Sequence, residues 1–221
     1  NLRICATKID PVGTTVRAAG YECVESGTVS PWSGAIRHPL YTKLTDTAFG
    51  FDVVALKSDG KVESGFVGAS DSPKSVTVQL FDDSASPAPA CSAYANPVAS
   101  TTLSFSAADA GRKSLGTPFN LAKAYRKLRC RVSDSTASPT VYGCSTDTFA
   151  VRPTAFNSVA ASASADSTGA SATATPAIKA GSAFTLTAGT GKAGYDGTPQ
   201  IDASKTEWTG APTGGVASPG V

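Results

Sequence analysis

Apolar and basic residues alternate within the stretch from Ala124 to Phe156, and this alternation is the clearest structural signal in the chain. The alternating residues are Lys127, Leu128, Arg129, Cys130, Arg131 and Val132. A period of two is typical of a β-strand with one face in the core and one face in water. Residues 134–139 contain Asp, Ser, Ala and Pro, which favour a turn, and residues 141–151 return as the partner strand. Because proline cannot donate to a β-ladder, Pro153 ends that strand, and the pattern predicts a β-hairpin that closes one domain.

Shorter apolar runs precede this hairpin. They are predicted to be strands at Leu40–Leu44, Phe49–Leu56, Ser75–Phe81, Leu103–Phe105 and Ser114–Phe119. Turn-forming residues such as Ser58-Asp59-Gly60 separate them. Short strands with frequent turns are typical of a β-sandwich, so we predict an all-β fold with an immunoglobulin-like β-sandwich over residues 40–153.

The remaining residues are assigned to two further regions, because a chain of 221 residues is long enough for two domains. We predict a disulfide-bearing N-terminal segment at residues 1–39 and a second, incomplete immunoglobulin-like domain at residues 154–221. The second domain is inferred from an internal echo. Ile178–Leu186 echoes Lys43–Phe51, and Gly194–Gly197 echoes Gly65–Gly68. Since the sequence contains no methionine and no signal peptide, we expect a processed piece of a longer protein.

Charge and hydropathy argue against two classes of partner. The formal net charge is only +2, which gives no field strong enough to imply nucleic acid or an anionic membrane. The basic residues that could contact DNA phosphates are Arg112, Lys113, Lys123, Arg126, Lys127, Arg129 and Arg131, and alternation explains them as the wet face of a strand. No apolar run approaches the roughly 18–20 residues that span a bilayer. We therefore expect neither nucleic-acid binding nor membrane insertion.

The five cysteines are Cys5, Cys23, Cys91, Cys130 and Cys144. Their spacing matches no zinc site, and in a Ser/Thr-rich β protein it favours disulfides in a secreted or periplasmic setting. Proximity in sequence favours the pair Cys5–Cys23. The predicted hairpin would place Cys130 opposite Cys144, yet either of these could instead pair with Cys91. The connectivity and the fate of the fifth cysteine stay open.

Residue types that carry catalysis are sparse. His38 is the only histidine, and neither a nucleophile elbow nor a phosphate-binding glycine loop is present. The adjacent acids Asp82 and Asp83 could serve a glycosidase or bind calcium, but acids in a turn are usually solvated and the EF-hand spacing is missing. The sequence therefore predicts no catalytic residue, no metal ligand and no cofactor.

Several motifs resemble a known family. They are Ala107–Lys113 (AADAGRK), Ala124–Arg129 (AYRKLR), Cys144–Pro153 (CSTDTFAVRP) and Thr47–Leu56 (TAFGFDVVAL). These residues resemble the MshQ-like proteins, which are associated with biogenesis of mannose-sensitive haemagglutinin type IV pili in Gram-negative bacteria. In that family the third motif commonly reads Cys-Ser-x-Asp-Asn-Phe-Ala-Ile-Arg-Pro, from which Thr148 and Val151 are mild departures. The resemblance covers roughly Leu40 to Trp208.

The resemblance implies a non-enzymatic module of a large protein on the bacterial cell surface, with a role in adhesion or display. Its implied partners are pilus or other surface proteins, and it implies no catalytic residues. The alternative is a carbohydrate-binding domain, whose ligand would contact the loop acids and either Trp32 or Trp208.

Overall fold

The structure is a computed structural model that describes residues 17–27, 39–162 and 185–195. Their regular structure is all-β, apart from three short 3-10 turns at Ala69–Asp71, Cys91–Ala93 and Ala107–Asp109. The described strands are β1 (Gly20–Val24), β2 (Lys43–Leu44), β3 (Asp52–Leu56), β4 (Lys74–Asp82), β5 (Ala99–Phe105), β6 (Arg112–Ser114), β7 (Tyr125–Asp134), β8 (Val141–Cys144), β9 (Phe149–Arg152), β10 (Ser158–Ser162) and β11 (Thr185–Gly189). The predicted fold class is thus confirmed at the level of an all-β protein.

The described residues divide into two compact units. One unit comprises the described residues up to Asn157 together with Thr190–Tyr195, and it contains β1 to β9. The other unit contains β10 and β11, which pair antiparallel. The predicted domain boundaries at residues 39 and 153 stay predictions. β1 falls within the predicted segment 1–39, and it pairs with β3 in the first unit.

Two sheets build the first unit. One has the order β1-β3-β6, and the other has the order β2-β9-β7-β4-β5, with β8 beside β7. Neighbouring strands are antiparallel except for β2 and β9, which run parallel. Between the sheets lies a core in which the largest fully buried side chains include Phe51, Phe66 and Phe105. Two sheets that bury their apolar faces against each other form a β-sandwich.

The predicted hairpin is present, with one difference. Leu128, Cys130 and Val132 are fully buried on the core face of β7, as the alternation predicts. The return strand is not continuous, however, because it is broken between β8 and β9 and both pieces pair with β7. The break lies just after Ser145, whose N–H still donates to the Cys130 carbonyl (2.9 Å). The Ser145 hydroxyl accepts a hydrogen bond from the Cys130 N–H (3.2 Å) and donates one to the Asp147 carbonyl (2.6 Å), and the chain turns there before β9 begins.

Each of the five shorter predicted strands overlaps a strand of the structure, but none has the same two ends. β5 begins four residues before the predicted start, because a polar run with little alternation pairs with β4 from Ala99 onward. At Ser114–Phe119 only the first residue lies in a strand. Gly116 there has a φ of +70°, which lies outside the β region. Further along, Phe119 pairs with Phe49 in an isolated antiparallel β-bridge.

The structure pairs four cysteines, Cys23 with Cys130 and Cys91 with Cys144. The expected pair Cys5–Cys23 is therefore wrong, and Cys5 itself lies outside the described residues. Pairing of Cys130 with Cys144 across the hairpin is also wrong, because the residue opposite Cys144 is Arg131. Cys130 points into the core instead, where it meets Cys23 of β1 and links the two sheets covalently.

Candidate functional site

An open pocket of about 240 Å³ lies beyond the end of β9. Its lining residues are Arg152, Pro153, Thr154, Ala155, Phe156, Thr190 and Tyr195. All of them belong to the first unit. The pocket combines residues from two segments that are well separated in sequence, the chain after β9 and the chain after β11.

Two exposed aromatic rings stand in this pocket. Phe156 is 47% exposed and Tyr195 is 38% exposed, in contrast to the buried phenylalanines of the core. Their ring centroids lie 6.4 Å apart at an interplanar angle of 77°, which is an edge-to-face pair. Aromatic side chains that remain exposed at a concave site provide apolar surface on which a ligand can stack.

A backbone hydrogen bond and a salt bridge hold the Tyr195 wall of the pocket in place. The Ala193 carbonyl accepts a hydrogen bond from the Ala124 N–H (2.8 Å), and the Lys192 ammonium pairs with the Asp46 carboxylate. Gly194 has a φ of +79°, and a Cβ there would lie only 2.3 Å from the Ala124 carbonyl oxygen. Only glycine allows the chain to pass this close to the start of β7.

The opposite wall is the end of β9. The Arg152 carbonyl accepts a hydrogen bond from the Thr45 N–H (2.9 Å), and Arg152 pairs in register with Leu44 of β2. Pro153 follows directly and ends the strand, as the sequence predicts. The exposed Arg152 side chain brings a positive charge to a pocket that also has threonine hydroxyls and two aromatic rings. Such a set suits a small polar ligand with one apolar face.

Sequence reasoning did not find this pocket. The predicted aromatic contacts of a glycan are Trp32 and Trp208, which both lie outside the described residues, as does His38. The one available signal was the echo that aligns Tyr195 with Phe66. The two rings lie in opposite environments, however, because Phe66 is fully buried in the core and Tyr195 is exposed.

The two candidate acids Asp82 and Asp83 have different roles. Asp82 is exposed and accepts a hydrogen bond from the Ser84 N–H (3.1 Å), as expected for a solvated turn. Asp83 is fully buried, so the prediction that it is solvated is wrong. Its carboxylate accepts two hydrogen bonds from Arg129, both 3.1 Å long, and one from the Tyr94 hydroxyl.

The electrostatics of Asp83 follow from these partners. Burial raises the pKa of Asp83, but hydrogen bonds from Tyr94 and Arg129 outweigh burial, and the net shift of its pKa is downward. Burial and the bond to Asp83 raise the pKa of Tyr94 to about 12. The carboxylate is therefore held ionised inside a set of structural partners.

Arg131 of β7 is not part of a wet face. Arg131 is buried, with its guanidinium 4.4 Å from the ring centroid of Phe81 and 5.3 Å from that of Tyr142. It donates hydrogen bonds to the Tyr94 carbonyl (2.8 Å) and to the Gln79 side chain (2.7 Å). Tyr94 lies on the connection between β4 and β5, which covers this face of the sheet and is tied to β8 by Cys91–Cys144. The expectation that Arg131 faces water is wrong for this reason, whereas the Arg129 side chain stays 21% exposed.

A second buried ionic cluster lies at the start of β4. Lys74 pairs with Asp134 at the end of β7, and the other carboxylate oxygen accepts hydrogen bonds from the Thr136 N–H (3.0 Å) and hydroxyl (2.6 Å). Burial raises the pKa of Asp134, but the bonds from Thr136 and Lys74 outweigh it and lower that pKa overall. Burial, and then the Asp134 charge, raise the pKa of the adjacent Tyr21 hydroxyl.

Glu22 is a third buried acid and has no salt-bridge partner among the described ion pairs. Its carboxylate accepts hydrogen bonds from the Thr146 N–H (2.8 Å) and from the Cys23 N–H (3.2 Å). Burial is the largest effect and raises the pKa of Glu22 to about 7. Glu22 thus joins β1 to the turn between β8 and β9, with little access for a solute.

In the described ranges, no group of three or more His, Cys, Asp and Glu side chains is placed to hold a metal ion. The same ranges contain no helix long and apolar enough to cross a membrane. Comparisons of the chain with protein-family models, with curated proteins and with solved structures gave no match.

Proposed function

We propose that this chain is a non-enzymatic module of an extracellular bacterial surface protein of the adhesin-like or type IV pilus-associated kind, contributing to adhesion or display. The observation that carries the proposal is the pair of disulfides, Cys23–Cys130 and Cys91–Cys144. Disulfides form and persist in oxidising compartments such as the periplasm and the cell surface. The motif resemblance of Cys144–Pro153 supplies the connection to pilus-associated proteins.

The way in which the disulfides connect the fold supports a mechanical role. Cys23–Cys130 spans 107 residues of sequence and joins the two sheets. Cys91–Cys144 spans 53 residues and ties the β4–β5 connection to β8. Cross-links over long loops stabilise a fold by restricting the unfolded chain. A display module that must keep its shape outside the cell benefits from both.

We also propose that the sandwich is immunoglobulin-like and that the predicted region 154–221 contains a second domain of the same kind, outside residues 154–157 and 190–195, which belong to the first unit. A buried disulfide between the two sheets, as in antibody domains, supports the first part. The internal echo supports the second part.

Fractionation of the natural host tests the proposal. An antibody against this chain should detect the parent protein in the surface fraction and in purified pili, and non-reducing mass spectrometry should find both disulfides. A control fractionation should follow a cytoplasmic enzyme through the same steps. Recovery of the parent protein in the cytoplasm with reduced thiols would contradict the proposal.

Carbohydrate binding is the second candidate function, and the pocket with Phe156 and Tyr195 favours it. Exposed aromatic rings can stack on the apolar face of a sugar, and threonine hydroxyls and a guanidinium can bond its hydroxyls. A glycan array with and without calcium should show saturable binding that is lost in Phe156→Ala and Tyr195→Ala. Tyr41→Ala is the matched control, because Tyr41 is also exposed but does not line the pocket. Equal loss in all three variants, or no binding by the natural chain, would exclude this function for the pocket.

A further inference from the structure

We propose that two copies of this chain associate edge to edge, with β5 of one copy pairing antiparallel with β5 of the other. β5 lies at the end of its sheet and, within the described residues, pairs with β4 alone. An edge strand presents backbone N–H and C=O groups that a second strand can pair with.

Among the described residues of the first unit, the other sheet edges are protected, and the β5 edge is not. β2 is two residues long and includes Lys43, and β6 is three residues long and includes Arg112 and Lys113. β8 covers β1 so closely that a Cβ on Gly143 would lie 2.3 Å from the Tyr21 nitrogen. Short length, charge and coverage are the usual means of preventing edge-to-edge pairing.

β5 has none of these protections. It is seven residues long, with the sequence ASTTLSF, and it contains neither charge nor proline. Leu103 and Phe105 are buried in the core, whereas Ser100, Thr102 and Ser104 are exposed on the other face. The strand is therefore held by its apolar face, and no other strand of the described residues pairs with its outer edge.

The sequence of β5 is complementary to itself. In an antiparallel pair centred on Thr102, Thr102 faces its own copy. The other opposed residues are Ser100 with Ser104, Thr101 with Leu103, and Ala99 with Phe105. Hydroxyl pairs of this type are favourable across strands, and no like charges meet. A two-fold axis through Thr102 makes the interface closed and symmetric, and the small net charge of +2 causes little repulsion between copies.

Thr102 allows a decisive test by sedimentation equilibrium of the whole chain. We expect the natural chain to dimerise and both Thr102→Lys and Thr102→Glu to lose the dimer, because each places two like charges together at the two-fold axis. An equimolar mixture of the two variants should regain the dimer as a Lys–Glu heterodimer. Since Thr102 is exposed, both variants should keep the melting temperature of the natural chain to within a few degrees.

Ser75→Lys is the matched control. Ser75 is exposed on β4 and lies opposite Ser104, one strand inside the edge, so its added charge should leave the dimer intact. A monomeric natural chain, a dimer that survives Thr102→Lys, or a mixture that stays monomeric would overturn the proposal. A dimer lost equally in Ser75→Lys would overturn it as well, because general charge and not the β5 edge would then control association.

Discussion

The ammonium of Lys74 lies 2.9 Å from the carboxylate of Asp134, and the two side chains are only 4% and 1% exposed. The pair joins the start of β4 to the end of β7, two neighbouring strands of the larger sheet. The Lys74 ammonium also lies 5.4 Å from the centroid of the Phe66 ring. Both charges are thus removed from water and depend on each other for compensation.

We predict that Lys74→Met destabilises the fold by about 3–5 kcal/mol, because it leaves the Asp134 charge buried without its cation. The double variant Lys74→Met/Asp134→Asn should recover most of this loss, since it removes both charges while the amide oxygen can still accept hydrogen bonds from Thr136. Urea unfolding of the natural chain and the variants measures both effects. A single variant that costs less than about 1 kcal/mol would show that the pair is solvated.

The adjacent acids Asp82 and Asp83 provide a comparison within one dipeptide. Asp83→Asn should cost about 3 kcal/mol, because the partly buried Arg129 loses the anion that accepts two of its hydrogen bonds. Asp82→Asn should change the free energy of unfolding by less than about 0.5 kcal/mol, since Asp82 is exposed and the amide oxygen can still accept from Ser84. Equal effects of the two substitutions, measured by urea unfolding, would contradict the structural role given to Asp83.

Sequence alone predicts the parts of the fold that local periodicity controls. Leu128 and Val132 face the core because a strand alternates its faces, and any sheet built on β7 must satisfy that alternation. The burial of Arg131 was not predictable in this way. It depends on a covering segment that is held by a disulfide between residues 53 positions apart.

The candidate site was beyond sequence reasoning for a related reason. Phe156 and Tyr195 are remote in sequence, and tertiary contacts such as the hydrogen bond from the Ala124 N–H to the Ala193 carbonyl hold the Tyr195 segment at the start of β7. The difference between Asp82 and Asp83 is also tertiary, since two adjacent carboxylates give the same local signal and only the contacts of Asp83 with Arg129 and Tyr94 distinguish them.

The disulfide Cys91–Cys144 should control access to the covered face of β7. In Cys91→Ala/Cys144→Ala, we expect the β4–β5 connection to open locally, because its ring contact between Tyr94 and Phe81 then lacks the covalent tie. Chymotrypsin should cleave after the normally buried Tyr94 at least about tenfold faster, which corresponds to about 1.4 kcal/mol in the free energy of opening. Cleavage is located by mass spectrometry of the fragments.

Cleavage after Phe51 serves as the internal control for that experiment, because Phe51 is fully buried in the core and reports on global unfolding. Its rate should change much less than the rate at Tyr94. If both rates rise by the same factor, the disulfide stabilises the whole sandwich and does not specifically hold the covering segment.

Glu22 should make stability depend on pH near neutrality. Burial raises its pKa from 4.5 to about 7, so the folded state binds a proton more tightly than the unfolded chain does. Its contribution to stability is therefore fully present below pH 4.5 and is lost as the pH rises through about 7, with a total change of about 3 kcal/mol. The variant Glu22→Gln cannot ionise, but its side-chain oxygen can still accept hydrogen bonds from the Thr146 and Cys23 N–H groups, so the substitution should remove this dependence.

The difference in unfolding free energy between the Glu22→Gln variant and the natural chain, measured in urea from pH 4.5 to 8, should increase with pH in favour of the variant. Because the other titrating groups are common to both proteins, a difference that stays constant over this range would mean that Glu22 ionises equally well in the folded and unfolded states.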